Sequence, residues 1–165
     1  MAPSSKPSIE LQPMSEEAYQ SYYQVSIADY AQQIAAAGNV SKQEALKASE
    51  DQFSQLLPQG LLTEGQHMMA IWDLERELVV GMVWVGERPR GETRQAVIYD
   101  IRVDEDLRGR GYGTQTLKAV EELVRTLGLT EIWLHVFGHN VGARRLYERF
   151  GYKITNLTMR KSLKS

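Results

Sequence analysis

An apolar run, AVIYDIRV at positions 96–103, passes within three residues into DLRGRGYGT at 106–114, and an amphipathic stretch follows. A strand that ends in a glycine-rich turn and opens a helix restricts the fold more than any other feature of this chain. The first amides of a helix have no partner inside it, point outward, and carry the positive end of the helix dipole. Glycine lets the backbone come close to a ligand and take up left-handed angles. Here Gly109, Gly111 and Gly113 alternate with Arg110 and Tyr112, so successive N–H groups can line one concavity suited to phosphate. An RNA-binding arginine-glycine patch reads alike over nine residues. Such patches repeat and sit in disordered chain, whereas this one lies between a strand and a helix.

Spacing narrows the choice. The dinucleotide pattern G-x-G-x-x-G is absent, because its last position is Thr114 counted from Gly109 and Thr116 counted from Gly111. The Gly-Lys-Ser/Thr ending of a P-loop is absent too. What fits is Arg-x-x-Gly-x-Gly, from Arg108 to Gly113.

Charge is distributed unevenly about this loop. The formal net charge is -2, but residues 1–107 hold 8 basic and 17 acidic side chains, and residues 108–165 hold 11 basic and 4 acidic ones. The halves are therefore -9 and +7, and a field of one sign concentrates ligands of the opposite sign. Without any cysteine, disulfides, thiolate metal sites and a cysteine nucleophile are excluded. The N-terminal MAPSSKPS has no apolar export region, and no run approaches the roughly 18 apolar residues of a membrane span, so a cytoplasmic location is expected.

The rest of the chain reads as one domain over residues 9–165 behind a mobile tail at 1–8. SIELQPM suggests a short strand. Tyr19, Tyr22, Tyr23, Ile27, Tyr30 and Ile34 then recur at helical steps from Ser15 to Gly38. Ser41 and Glu44 form a capping box for a second helix, whose apolar face is Leu46, Phe53, Leu56 and Leu57. HMMAIWD and LVVGMVWV read as a hairpin, and AVIYDIRV as the next strand. Leu117, Val120, Val124 and Leu127 mark a helix closed by Gly128. IWLHVF reads as a strand, a helix runs from about Asn140 to Phe150, and GYKITNLTMRKSL has room for one or two last strands.

Two motifs in order, Arg108 to Gly113 and LHVFGHNVGARRLYERFGY at 134–152, make the chain resemble the GCN5-related N-acetyltransferase (GNAT) superfamily. The resemblance implies an α/β (α+β) fold with a mixed central sheet of about six to seven strands, helices on both faces, and a splay between strands 4 and 5. It implies acetyl-CoA as acetyl donor and a primary amine as acceptor, with direct transfer in a ternary complex; from the residues themselves no metal, nucleic acid or membrane partner is expected. A homodimer is among the assemblies it implies. An acyl-CoA-binding sensor of the same fold would share the loop without turnover.

Position by position, the resemblance gives Arg108, Gly109, Arg110, Gly111, Tyr112, Gly113 and Thr114 to the pyrophosphate. The backbone of Ile101, Arg102 and Val103 falls to the acetyl carbonyl and pantetheine amides, and Asn140 to the pantetheine arm. Asn140 is also a favoured helix N-cap. Tyr147 matches the general acid that protonates the departing thiolate, since a phenol of pKa about 10 stays protonated at neutral pH. An ammonium acceptor must lose a proton before attack, and His135 or Asp100 is the candidate base or water relay. The competing role for His135 is a core histidine, and for Asp100 an ion pair with Arg102. His67 and His139 have no metal-ligand spacing.

Overall fold

The computed structural model describes residues 5–164. Of the mobile tail expected over 1–8, positions 1–4 lie outside the described residues. Ser8 accepts from the Leu74 amide at 2.9 Å.

The chain opens with β1 (Ile9–Pro13), followed by two long helices, α1 (Glu16–Ala37) and α2 (Lys42–Leu56). Ser15 caps α1 by accepting from the Ala18 amide, and Ser41 and Glu44 complete the expected capping box on α2. The inward face of α2 is Ala45, Ser49 and Phe53, whereas Leu46, expected there, is exposed. Small side chains four residues apart bring α2 close against α1, and the Ser49 hydroxyl donates to the Ile27 carbonyl at 2.8 Å.

Next come β2 (Gln66–Asp73), β3 (Leu78–Arg90) and β4 (Thr93–Val103), then α3 (Tyr112–Thr126), β5 (Ile132–Leu134) and α4 (Val141–Arg149). The sheet runs β1-β2-β3-β4-β5, antiparallel except for the parallel pair β4 and β5 that the crossover through α3 requires. Five strands are present among the described residues, not six to seven. IWLHVF contributes only Ile132–Leu134, so His135 lies one residue beyond β5 rather than on it. Residues 153–164 form no strand, and their backbone pairs with no other segment among the described residues.

Alternation along the strands supplies a core to each face of the sheet. Met68, Met82 and Trp84 face α1 and α2 and pack with Tyr19, Tyr22 and Phe53. Val83, Val85, Ala96 and Ile98 face the other way, against Leu117, Val120 and Val124 of α3 and Tyr147 of α4. β4 breaks this alternation. Val85 pairs with Ile98 and Trp84 with Asp100, which leaves Tyr99 as an extra residue, a β-bulge. Tyr99 and Asp100, consecutive in sequence, therefore both point towards α1 and α2: Tyr99 lies 4.7 Å from Trp84 between ring centroids, and Asp100 accepts from Tyr22.

The first residue of α3 is fastened to the β2–β3 turn. The buried Tyr112 hydroxyl donates to Asp73, whose Oδ1 also accepts the amides of Glu75 and Arg76 at 2.9 Å each. The Tyr112 hydroxyl, followed by the Arg76 amide, holds the Asp73 carboxyl below its ordinary value. A carboxyl lowered on folding contributes its full stability above the unfolded pKa, about 3.9, and loses it as pH falls through the folded value. Tyr112→Phe is expected to cost about 1.5–3 kcal/mol at pH 7. Urea unfolding should show the gap between parent and variant shrinking as pH falls through the acid range.

Candidate active site

The glycine-rich turn has the backbone its sequence demands. Gly109 and Gly111 sit at φ +75° and +92°, and Gly111 is the N-cap of α3. The first helical hydrogen bond runs from the Gln115 amide to the Gly111 carbonyl, and the amides from Gly109 to Thr114 have no protein acceptor among the described residues. Around Gly109 a Cβ would meet open space, so this part of the backbone is uncovered. An open run of amides at the positive end of a 15-residue helix fits a phosphate group. Arg110 is exposed beside it, and Arg108 turns back to donate from Nε to the Val103 carbonyl at 3.1 Å, tying loop to strand. Tyr112 faces inward to Asp73, so only its amide is available to a ligand.

The cleft lies next to this loop. β4 and β5 pair through Ala96, Val97 and Ile98 against Ile132, Trp133 and Leu134, and there the pairing stops. From Asp100 to Val103, β3 is the one strand that β4 pairs with among the described residues. The wedge thus opened holds a cavity of about 960 Å³, lined from β4 by Tyr99 to Arg102, from the β5–α4 connection by His135, Phe137 and Asn140, from α4 by Tyr147, and from α1 by Tyr22, Ser26, Asp29 and Tyr30. Arg108 reaches its edge.

Tyr147 is 9% exposed. Burial, and then the charge of Asp100, push its phenol up to about 12, so it keeps its proton at any physiological pH. Asn140 caps α4 by accepting from the Ala143 amide at 3.3 Å while also lining the cleft. Opposite, Asp100 accepts from the Tyr22 hydroxyl at 2.8 Å and from Arg102 Nε at 2.9 Å, and Arg102 Nη1 reaches Asp29 at 2.8 Å. Burial by itself would lower the Arg102 guanidinium; Asp100, Tyr22 and Asp29 outweigh it and hold the group above its ordinary value. Burial, reinforced by Asp100, pushes the Tyr22 phenol far up.

The structure thus brings Asp100, Ile101, Arg102, Arg108, His135, Asn140 and Tyr147 to one cavity. Asp100 is committed to Arg102 and Tyr22. His135 is exposed and stands edge-on to Phe137, 4.9 Å between ring centroids, with His139 stacked on the same ring at 5.6 Å. His67 is elsewhere, 3.0 Å from Glu87. Among the described residues no group of three His, Cys, Asp or Glu could hold a metal ion. Nor is any helix among the described residues long and apolar enough to cross a membrane. Sequence reasoning missed Tyr22, Ser26 and Asp29, whose steps of four and three place polar groups along one stripe of α1. The Ser26 hydroxyl is fully buried beside Tyr22 and meets no hydrogen-bond geometry among the described residues.

The sequence pattern of the Acetyltransferase (GNAT) family matches residues 17–152. The chain is 36% identical over 155 residues to the uncharacterized N-acetyltransferase YycN of Bacillus subtilis (strain 168), covering 94% of this chain and 99% of that protein. It is 31% identical over 153 residues to the uncharacterized N-acetyltransferase YdgE of the same organism, covering 93% and 97%. The crystal structure of Bacillus subtilis YycN superposes with a TM-score of 0.88 at 35% identity, covering 96% of this chain and 100% of that one. The chain belongs to the GNAT family and is an acetyltransferase of the N-acetyltransferase class.

Gly111 gives the loop its most direct test. A Cβ there would adopt φ +92° and lie 3.3 Å from Pro7 Cδ. Gly111→Ala is expected to lose about 1–2 kcal/mol in thermal unfolding. Calorimetric titration with inorganic pyrophosphate should show weaker binding than in the parent.

Proposed function

We propose that this protein transfers the acetyl group of acetyl-CoA directly to a primary amine within a ternary complex. The observation that carries the reading is the placement of Tyr147, with its proton held by burial, in the same cleft that the open amides of Gly109 to Thr114 adjoin. Those amides, with Arg108 and Arg110, bind the donor's pyrophosphate. The edge of β4 that β5 leaves free, at Ile101, Arg102 and Val103, offers backbone groups to the acetyl carbonyl and the pantetheine amides, the Val103 carbonyl only where Arg108 gives it up, and Asn140 meets the same arm. A thioester supplies an electrophilic acetyl carbon. Tyr147 gives its proton to the sulfur as the carbon–sulfur bond breaks and the carbon–nitrogen bond forms. His135, free of ion pairs at the cleft, is better placed than Asp100 to receive the proton that the ammonium loses. Holding both substrates in one wedge supplies much of the acceleration.

The acceptor is a cationic amine. On the α1 side, two carboxylates, Asp29 and Asp100, face a single guanidinium, and the rings of Tyr30, Phe53, Trp84 and Tyr99 stand nearby, a setting that favours an ammonium ion. A homodimer belongs to the same reading, as does the cytoplasm, where such an enzyme meets its donor.

The decisive experiment incubates the protein with acetyl-CoA and an amine library, following thiol release and identifying acetylated products by mass spectrometry. The chain has no cysteine, so its own thiols give no background. Acetyl-CoA binding without thiol release across the library would instead mark a sensor of the same fold. Tyr147→Phe is expected to bind acetyl-CoA as the parent does and to lower kcat roughly 100- to 10,000-fold. Because the acid form is the active one and is lost only as pH rises through about 12, Tyr147 should impose no basic limb on the parent's rate profile below pH 10 or so.

A further inference from the structure

We propose that the cleft holds a second recognition site for the acceptor, an anion site formed by Arg88 and Tyr99, so that the favoured acceptor is an elongated amine with a carboxylate at its far end. Trp84, Gly86 and Arg88 fall on the face of β3 turned towards α1 and α2. The β-bulge turns Tyr99 onto that face as well, and its ring lies across Gly86, where a Cβ would collide with it. Arg88 and Tyr99 both line the cavity. Burial raises the Tyr99 phenol and the Arg88 charge works against it, which places the guanidinium within electrostatic reach of the ring.

The other arginines of the β3–β4 hairpin are engaged: Arg90 with Gln95 at 3.1 Å and Glu131 at 3.6 Å, and Arg94 with Glu87 at 3.3 Å. Glu87, next to Arg88 in sequence, is on the opposite face, where His67 also holds it. The exposed Arg88 guanidinium and the Tyr99 hydroxyl are left without a side-chain partner among the described residues. Together they supply the donors that a carboxylate accepts. The other end of the cleft has the opposite sign, with Asp100 and Asp29 on either side of Arg102. Asp100 pairs with Trp84, and Arg88 comes four residues later on β3, roughly 13 Å at a strand's rise per residue. With side chains reaching inward from both ends, an ammonium at Asp100 and a carboxylate at Arg88 stand roughly 10 Å apart. The rings of Trp84 and Tyr99, 4.7 Å between centroids, floor the space between them. A tripeptide spans about that length from its amino to its carboxyl end. The amine's position rests on the acetyl-transfer reading, whereas the anion's rests on Arg88 and Tyr99.

Calorimetric titration into the protein saturated with CoA compares trialanine with its C-terminal amide, and ω-aminooctanoate with its amide. The free acid is expected to bind about fivefold more tightly than the amide in at least one pair, the modest gain of an exposed guanidinium, and the gain should fade as salt rises. The pair that shows it identifies the acceptor as a peptide or an alkyl amino acid. Arg88→Glu should reverse the order while acetyl-CoA affinity stays as in the parent. Equal binding of acid and amide in both pairs overturns the proposal even where the amines turn over, and so does a preference that survives Arg88→Glu. Loss of acetyl-CoA affinity on that substitution would assign Arg88 to the donor and overturn it as well. A preference that Arg88→Glu reverses, without thiol release from acetyl-CoA, keeps the anion site and overturns acetyl transfer instead.

Discussion

The extra residue that β4 carries at Tyr99 turns the end of that strand away from β5, so the two share only three residue pairs. A bulge increases local twist and re-aims side chains. Here it sends Tyr99 and Asp100 to the same face, towards α1, and leaves the backbone through Val103 with a bonded neighbour on one side only. The strand still has to reach the glycine-rich loop, and it does so through Arg108, which grips the Val103 carbonyl. Cleft and acidic wall thus both follow from one local irregularity in strand pairing.

What the sequence disclosed and what it concealed differ in range. The glycine loop, the Ser41 and Glu44 capping box and the stop at Gly128 depend on residues within a turn or two of one another, and spacing reveals them directly. The bulge depends on the register between β3 and β4, separated by a hairpin, and AVIYDIRV carries no mark of it. Leu46 illustrates a second limit: helical periodicity locates a stripe but not which edge of it faces the neighbouring helix, and Ala45 with Ser49 proved the closer fit. His135 lies beyond β5 because the sheet stops pairing at Leu134, although the apolar run continues through Val136 and Phe137. Five strands rather than six to seven reflects the same difference, since a strand-like sequence becomes a strand only with a partner beside it.

The charge division between the chain's halves also acquires a physical meaning. Asp29 and Asp100 stand on the α1 side of the cleft, while Arg108 and Arg110 stand by the loop. Arg102, the guanidinium between the two carboxylates, neutralises only part of that acidic wall. Removing it would leave two carboxylates facing each other across a half-buried gap, where a lost partner is costly. The same cluster acts across the cleft, because the charge of Asp100 adds to burial in holding the Tyr147 proton. The acidic wall and the Tyr147 phenol therefore face each other across the cleft that the turn of β4 opens.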